Sequence, residues 1–211
     1  MKSIAIIDYG VGNLYSVEKA LRCFTDEVII TEEAKDIANA GALVLPGVGS
    51  FEAGMHGLKI RNLIEPVQQF ARSGKPLLGI CLGAQILLSK GYEFGEFDGL
   101  GLIPGKVVKF PTLPAEAKIP HIGWNQITKA PASNWNASLL HDIPEQSHTY
   151  FVHSYVLVPD DPTHQFTLTT YGGYEFCSAV RKDNVYGTQF HPEKSGEVGL
   201  KIIENFIKLI P

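Results

Sequence analysis

The chain has 211 residues, 45% of them apolar and 19% charged, with a formal net charge of −4. That length suits one domain, and that apolar share supplies a single sizeable core, which excludes a disordered or fibrous chain. No run of Lys and Arg stands anywhere in the sequence, so neither nucleic acid nor an anionic membrane has an electrostatic footing here.

The predicted elements alternate in the first half. Ser3 to Ile7 is an apolar run ending at Asp8. Asn13 can cap a helix in which Leu14, Val17, Leu21 and Phe24 recur at helical spacing. Glu27 to Thr31 is β-branched, and Ala42 to Leu45 is a short buried strand before Pro46. Lys59 to Arg72 shows a helical apolar face, with Pro66 marking a kink or a restart. Lys75 to Ile80 is a fourth apolar strand, and Leu82 to Leu88 reads as a helix directly after Cys81. Short, unalternated strands separated by helices indicate a parallel sheet covered on both faces.

After Gly91 strands follow one another: Lys106–Phe110, Trp124–Thr128, Tyr150–Val158, Phe166–Tyr171, Glu175–Arg181 and Val185–Phe190. The intervening Pro, Gly, Asp and Asn turns suit antiparallel hairpins. Gly199 to Ile210 closes the chain as an amphipathic helix. The expected architecture is a single α/β domain over 1–211, with an antiparallel layer added by its second half.

The longest apolar stretch, Leu77 to Ala84, is 8 residues, against roughly 20 needed to cross a bilayer. The first apolar run meets Asp8 after four residues, short of a secretion-signal core, so a cytoplasmic protein is expected. The three cysteines, Cys23, Cys81 and Cys177, form neither a disulfide framework nor a Cys-x-x-Cys metal pair. Cys23 and Cys177 are expected in core or strand positions. Glu93 to Asp98 reads as a solvated acidic loop.

Chemistry concentrates in three places. Gly79-Ile80-Cys81-Leu82-Gly83-Ala84-Gln85 lies where a buried strand becomes a helix. A nucleophile at such a turn projects from the sheet edge, and small residues two positions either side let the chain fold tightly. The helix start favours thiolate, and the Leu82 N–H points where an oxyanion would form. An inert buried cysteine is the alternative, and the commoner fate of a lone Cys. In Gln189-Phe190-His191-Pro192-Glu193, residues two apart on an extended segment share a side, so Glu193 can orient the His191 imidazole. Pro46-Gly47-Val48-Gly49 again follows a strand, with glycine on both sides of Val48 to let N–H groups face an anion. His56, His141, His148, His153 and His164 show no metal-ligand pattern.

These residues together resemble the class I (triad) glutamine amidotransferases, which share Gly-Ile-Cys-Leu-Gly-x-Gln and a distant His-Pro-Glu. Ile7 to Asn13, Leu45 to Gly49, Gly101 to Gly105, His121 to Asn125, Tyr150 to Tyr155 and Phe190 to Ser195 resemble, within that family, the glutaminase subunits of bacterial imidazole glycerol phosphate synthases. Ala84 stands where Met is usual, and Lys90 to Asp98 departs from the typical loop.

The resemblance implies a flavodoxin-like fold and hydrolysis of glutamine through a cysteine thioester. Cys81, His191 and Glu193 would be catalytic; Val48 and Leu82 would form the oxyanion hole. Gly49, Gln85, Ser154 and Tyr155 would hold glutamine. Asn13, Tyr150 and Lys194 would lie near a separate (β/α)8-barrel cyclase subunit that receives the ammonia. No metal or organic cofactor is implied. A paralogue feeding a cyclase-like partner in surface-sugar synthesis, a free-standing Cys-His-Glu hydrolase and a non-catalytic scaffold are the competing readings.

Overall fold

In the computed structural model, which describes residues 3–211, the first apolar run forms strand β1 (Ile4–Ile7). Helix α1 (Leu14–Arg22) follows, its N-cap Asn13 accepting a hydrogen bond from the Ser16 N–H at 3.3 Å. Strand β2 (Val28–Thr31), helix α2 (Ala34–Asn39) and strand β3 (Ala42–Gly47) come next. Helices α3 (Phe51–Ile60) and α4 (Ile64–Arg72) then lead to strand β4 (Leu77–Cys81). The break between these helices settles the role of Pro66. It sits in the first turn of α4, where its missing N–H costs nothing, and so marks a restart. Neither α2 nor the start of α3 was expected from the sequence.

Helix α5 (Leu82–Ile86) is shorter than the predicted Leu82–Leu88. The Leu87 carbonyl accepts from the Leu102 and Ile103 N–H groups, so the chain leaves the helix to enter strand β5 (Leu88–Gly91). A two-residue strand β6 (Phe97–Asp98) and strands β7 (Ile103–Lys109) and β8 (His121–Lys129) follow. The predicted single strand Tyr150–Val158 is two: β9 (Ser147–His153) pairs with β8, whereas β10 (Tyr155–Pro159) pairs with β7 and β12 (Tyr174–Lys182). The chain changes layers at Ser154. Strand β11 (Gln165–Tyr171) forms a hairpin with β12, and β13 (Val185–Thr188) and helix α6 (Gly196–Lys208) complete the chain.

Five strands in the order β2-β1-β3-β4-β13 run parallel. That is the doubly wound, flavodoxin-like order. Successive residues point to opposite faces, and the core divides accordingly. Ile4, Ile6, Val44, Leu78 and Ile80 pack with α1 and α6 residues such as Leu21 and Ile202. Ala5, Ile7, Leu43, Leu45 and Leu77 pack with Ile37, Leu58, Val67 and Phe70 of α2 to α4. Both faces of β1, β3, β4 and β13 are buried, as unalternated strands require, while the edge strand β2 leaves Ile29 and Ile30 exposed. Beyond β13 the sheet turns antiparallel through β12. Open α/β sheets place ligands beyond the carboxyl ends of their strands, and the ends of β3, β4 and β13 are where the candidate residues converge. Among the described residues, no helix is long and apolar enough to cross a membrane.

Candidate active site

Cys81 occupies the junction of β4 and α5 with φ +55 and ψ −109. A non-glycine residue pays for that conformation, and it persists only where its surroundings force it. Here packing does the forcing. A Cβ on Gly83 would lie 1.7 Å from the Leu45 carbonyl oxygen, and one on Gly79 would lie 2.7 Å from the Gly83 backbone. Only glycine at both positions lets helix and strand approach this closely. The thiol is 8% exposed, its Sγ 4.0 Å from the Val152 carbonyl oxygen and 3.7 Å from Gln189 Nε2.

His191 comes off the end of β13, its N–H donating to the Tyr150 carbonyl at 2.9 Å. Its Nδ1 lies 2.7 Å from Glu193 Oε1, with the two side chains 3% and 2% exposed. A carboxylate only accepts, so Nδ1 carries the hydrogen. The other ring nitrogen, Nε2, is buried and has no hydrogen-bond partner, as has Glu193 Oε2. Burial by itself lowers the imidazole pKa. The adjacent Cys81 sulfur and the Glu193 carboxylate outweigh it and raise the value to about 9. Both effects of Glu193, orienting the ring and favouring its charged form, are those of a triad carboxylate.

A cavity of about 290 Å³ opens over these groups. Val48, Gly49, Cys81, Leu82, Gln85, Ser154, Tyr155 and His191 all line it, while Glu193 stands behind His191. Residues from three strand ends are thus brought together as the sequence expected. Gly49 has φ +104, a left-handed conformation suited to glycine. Tyr9, fully buried, donates its phenol hydrogen to the Pro46 carbonyl behind this loop. Asn13, Tyr150 and Lys194 lie off the cavity. Asn13 and Lys194 are exposed, and the half-buried Tyr150 sets its ring edge-on to the exposed Trp124 at 6.2 Å.

Several residues of the site, one behind the cavity and others lining it, escaped the sequence reading. Gln189 is fully buried, accepts from Gln85 Nε2 at 3.0 Å and donates toward Cys81. Its position two residues before His191 on an extended segment was the available signal. Glu93, expected in a solvated loop, lines the cavity and accepts from the Phe51 N–H at 2.8 Å. The other acids of that loop do face solvent, where Lys90 pairs with Glu96 at 2.9 Å and Asp98 at 2.8 Å, while Phe97 packs against the core. Val152, Pro120 and His153 complete the wall. Of the other cysteines, Cys177 is buried as expected and burial pushes its thiol up to about 12. Cys23 corrects the expectation: it ends α1 exposed, because that turn lies at the rim of the core.

Residues 5–209 match the family described as glutamine amidotransferase class-I. The chain belongs to that family. More narrowly, it is 49% identical over 213 residues to the Legionella pneumophila (strain Lens) protein named imidazole glycerol phosphate synthase subunit HisH 1, covering 99% of this chain and 100% of that one. The HisH subunit of Lactococcus lactis is 47% identical over 211 residues, with 100% of both chains covered. Among solved structures, that of PurLQS from Thermotoga maritima matches with a TM-score of 0.74 at 21% identity, covering 100% of each chain. That likeness is one of fold.

Proposed function

We propose that this chain is the glutamine-hydrolysing subunit of an imidazole glycerol phosphate synthase, made of one amidotransferase domain over residues 1–211. The observation that carries the reading is the strained Cys81 facing the His191–Glu193 pair across one cavity, in a chain whose full-length relatives bear that subunit's name. The Cys81 sulfur attacks the side-chain amide carbon of glutamine. The tetrahedral intermediate carries its negative oxygen toward the N–H groups of Val48 and Leu82. His191, holding a proton at neutral pH, gives it to the leaving nitrogen as the C–N bond breaks, and ammonia departs from a γ-glutamyl thioester. The neutral imidazole then takes a proton from water, which attacks the thioester and releases glutamate and the thiol. Glu193 holds the ring throughout. Gly49, Gln85, Ser154 and Tyr155 seat the glutamine. Ammonia passes to a (β/α)8-barrel cyclase subunit in a cytoplasmic heterodimer, with Asn13, Tyr150 and Lys194 near the contact.

Cys81→Ala tests this directly. Glutamine-dependent synthesis by the complex should vanish while synthesis from added ammonium salt continues, because only the amide cleavage needs sulfur. Equal loss of both activities would make Cys81 structural. A wild-type complex inert toward glutamine would overturn the reading as a whole.

A further inference from the structure

His153 lines the cavity, and its ring forms a buried pair with His121. The hydrogen bonds of this pair have one possible direction. His153 Nδ1 is 2.7 Å from the Tyr155 backbone carbonyl, which can only accept, so Nδ1 carries the hydrogen. His153 Nε2 is 3.1 Å from His121 Nδ1. Behind His121, Asn125 Nδ2 approaches Nε2 at 3.4 Å. The orientation of that amide is fixed twice: Nδ2 donates to the Thr170 carbonyl at 2.9 Å, and Oδ1 accepts from the Gln126 N–H at 2.8 Å. Asn125 therefore donates to His121 Nε2, His121 Nδ1–H donates to His153 Nε2, and His153 Nδ1–H donates to Tyr155. An extra proton on either ring would set donor against donor at one of these contacts. Burial acts in the same sense, lowering the pKa of His121 to about 4 and of His153 to about 3.

The pair is also clamped sideways. The His121 ring stacks on Tyr171 at 4.0 Å and on Phe151 at 4.9 Å, and His153 packs on Phe110 at 5.1 Å and Phe176 at 5.2 Å. Its far end grips the chain where β9 gives way to β10, at the Ser154–Tyr155 wall of the cavity. The junction is also held by strand pairing, Tyr155 with Lys109 of β7 and His153 with His121 of β8, and by the Ser154 carbonyl accepting from the Phe110 N–H at 3.0 Å.

We propose that His121 and His153 are positioning residues, a one-way hydrogen-bond strut that sets the Ser154–Tyr155 wall against which glutamine is seated. This rests on the cavity being the glutamine site. Breaking the strut loosens the seat and leaves the nucleophile and its base in place, so binding weakens more than chemistry.

The test uses glutamine hydrolysis by the full complex with its cyclase partner. His121→Phe keeps an aromatic ring between Tyr171 and Phe151 and removes only the donor. It should raise KM for glutamine about tenfold, the worth of one buried hydrogen bond, with kcat within about twofold of wild type. His153→Leu should do at least as much, and His153→Asn, which retains a donor toward Tyr155, should recover part of the loss. Nitrogen-15 spectra of the wild-type rings should show both as neutral Nδ1–H tautomers at neutral pH. An Nε2–H tautomer or an imidazolium at either ring would overturn the strut, and so would an unchanged KM in His121→Phe or a fall in kcat alone. If His121→Phe does not fold, His153→Asn and the spectra decide by the same criteria. Absence of glutamine hydrolysis in the wild-type complex would instead remove the functional reading, and the spectra would still judge the strut.

Discussion

On one side of the cavity, Cys81, Leu82, Val48 and Gly49 stand within a few residues of the parallel strands β3 and β4, and backbone contacts fix the Cys81–Leu82 elbow. Gly83 lies so close to the Leu45 carbonyl that the elbow has nowhere else to go. On the other side, Val152 to Tyr155 belong to the antiparallel layer and are held by side chains and backbone arriving from β7, β8 and β11. The elbow of the first wall is held by sterics, the second wall by a network of polar and aromatic contacts. The contrast teaches a division of labour. On the proposed function, the elbow wall would carry groups whose interactions strengthen as charge develops, and the layered wall groups that meet the substrate before any bond changes. Perturbing the first should appear in kcat and perturbing the second in KM.

Glu193→Gln gives the sharpest break of that comparison. It keeps the shape beside His191 Nδ1 and removes the charge that stabilises imidazolium. The expected loss is in kcat, up to about 10⁴-fold, with a smaller change in KM. Steady-state glutamine kinetics on the complex would show it, and an unaltered kcat would reduce Glu193 to a turn residue.

A second expectation concerns the Pro46–Gly49 loop. Glycines flanking Val48 let a peptide unit turn either its N–H or its C=O toward the substrate oxygen. Partner docking is expected to favour the N–H. One oxyanion donor is worth about 10²–10³ in kcat. The isolated subunit should therefore hydrolyse glutamine at least that much more slowly than the complex carrying cyclase ligand. A rate ratio near one would show that the elbow wall needs no partner to be complete.

The smallest effect is on stability. The His191 pKa in the folded chain, about 9, lies above its ordinary 6.5. Its contribution is fully present below about pH 6.5 and is lost as pH rises through about 9. Thermal unfolding followed from pH 6 to pH 10 should show a falling Tm over that window. The slope should flatten in Glu193→Gln, since the carboxylate supplies part of the shift. An equal slope in both proteins would separate His191 from its carboxylate.

The same contrast explains what could be read from the sequence. The elbow declares itself in Gly79, Cys81 and Gly83, because a local steric demand selects residues at fixed offsets. His191 and Glu193 were legible for the same reason, being two apart on an extended segment. The layered wall was not. Tyr150–Val158 reads as one strand because only His153 and Ser154 interrupt its apolar residues and no Gly or Pro marks a turn, and only pairing with two different partners divides it at Ser154. His121 and His153 are far apart in sequence, and each alone resembles an ordinary core histidine. Glu93 sits in a loop whose other acids do face water, so composition concealed the one that turns inward. Helix α2 was missed because it is six residues long and only Ile37 is buried, too little for a periodicity.

The buried Tyr9 phenol has a kinematic consequence for the loop beside Cys81. By binding the Pro46 carbonyl it immobilises the peptide unit that joins Pro46 to Gly47, and Gly47 is itself in register with Cys81 at the end of β4. The loop is thus anchored at its upstream end like a door on its post. Freedom to turn is left to the units on either side of Val48, and Gly49 already adopts a backbone angle that a larger residue would resist. A swing about so short an arm moves few atoms and disturbs no core packing. It can therefore be fast, and a small differential contact suffices to bias it.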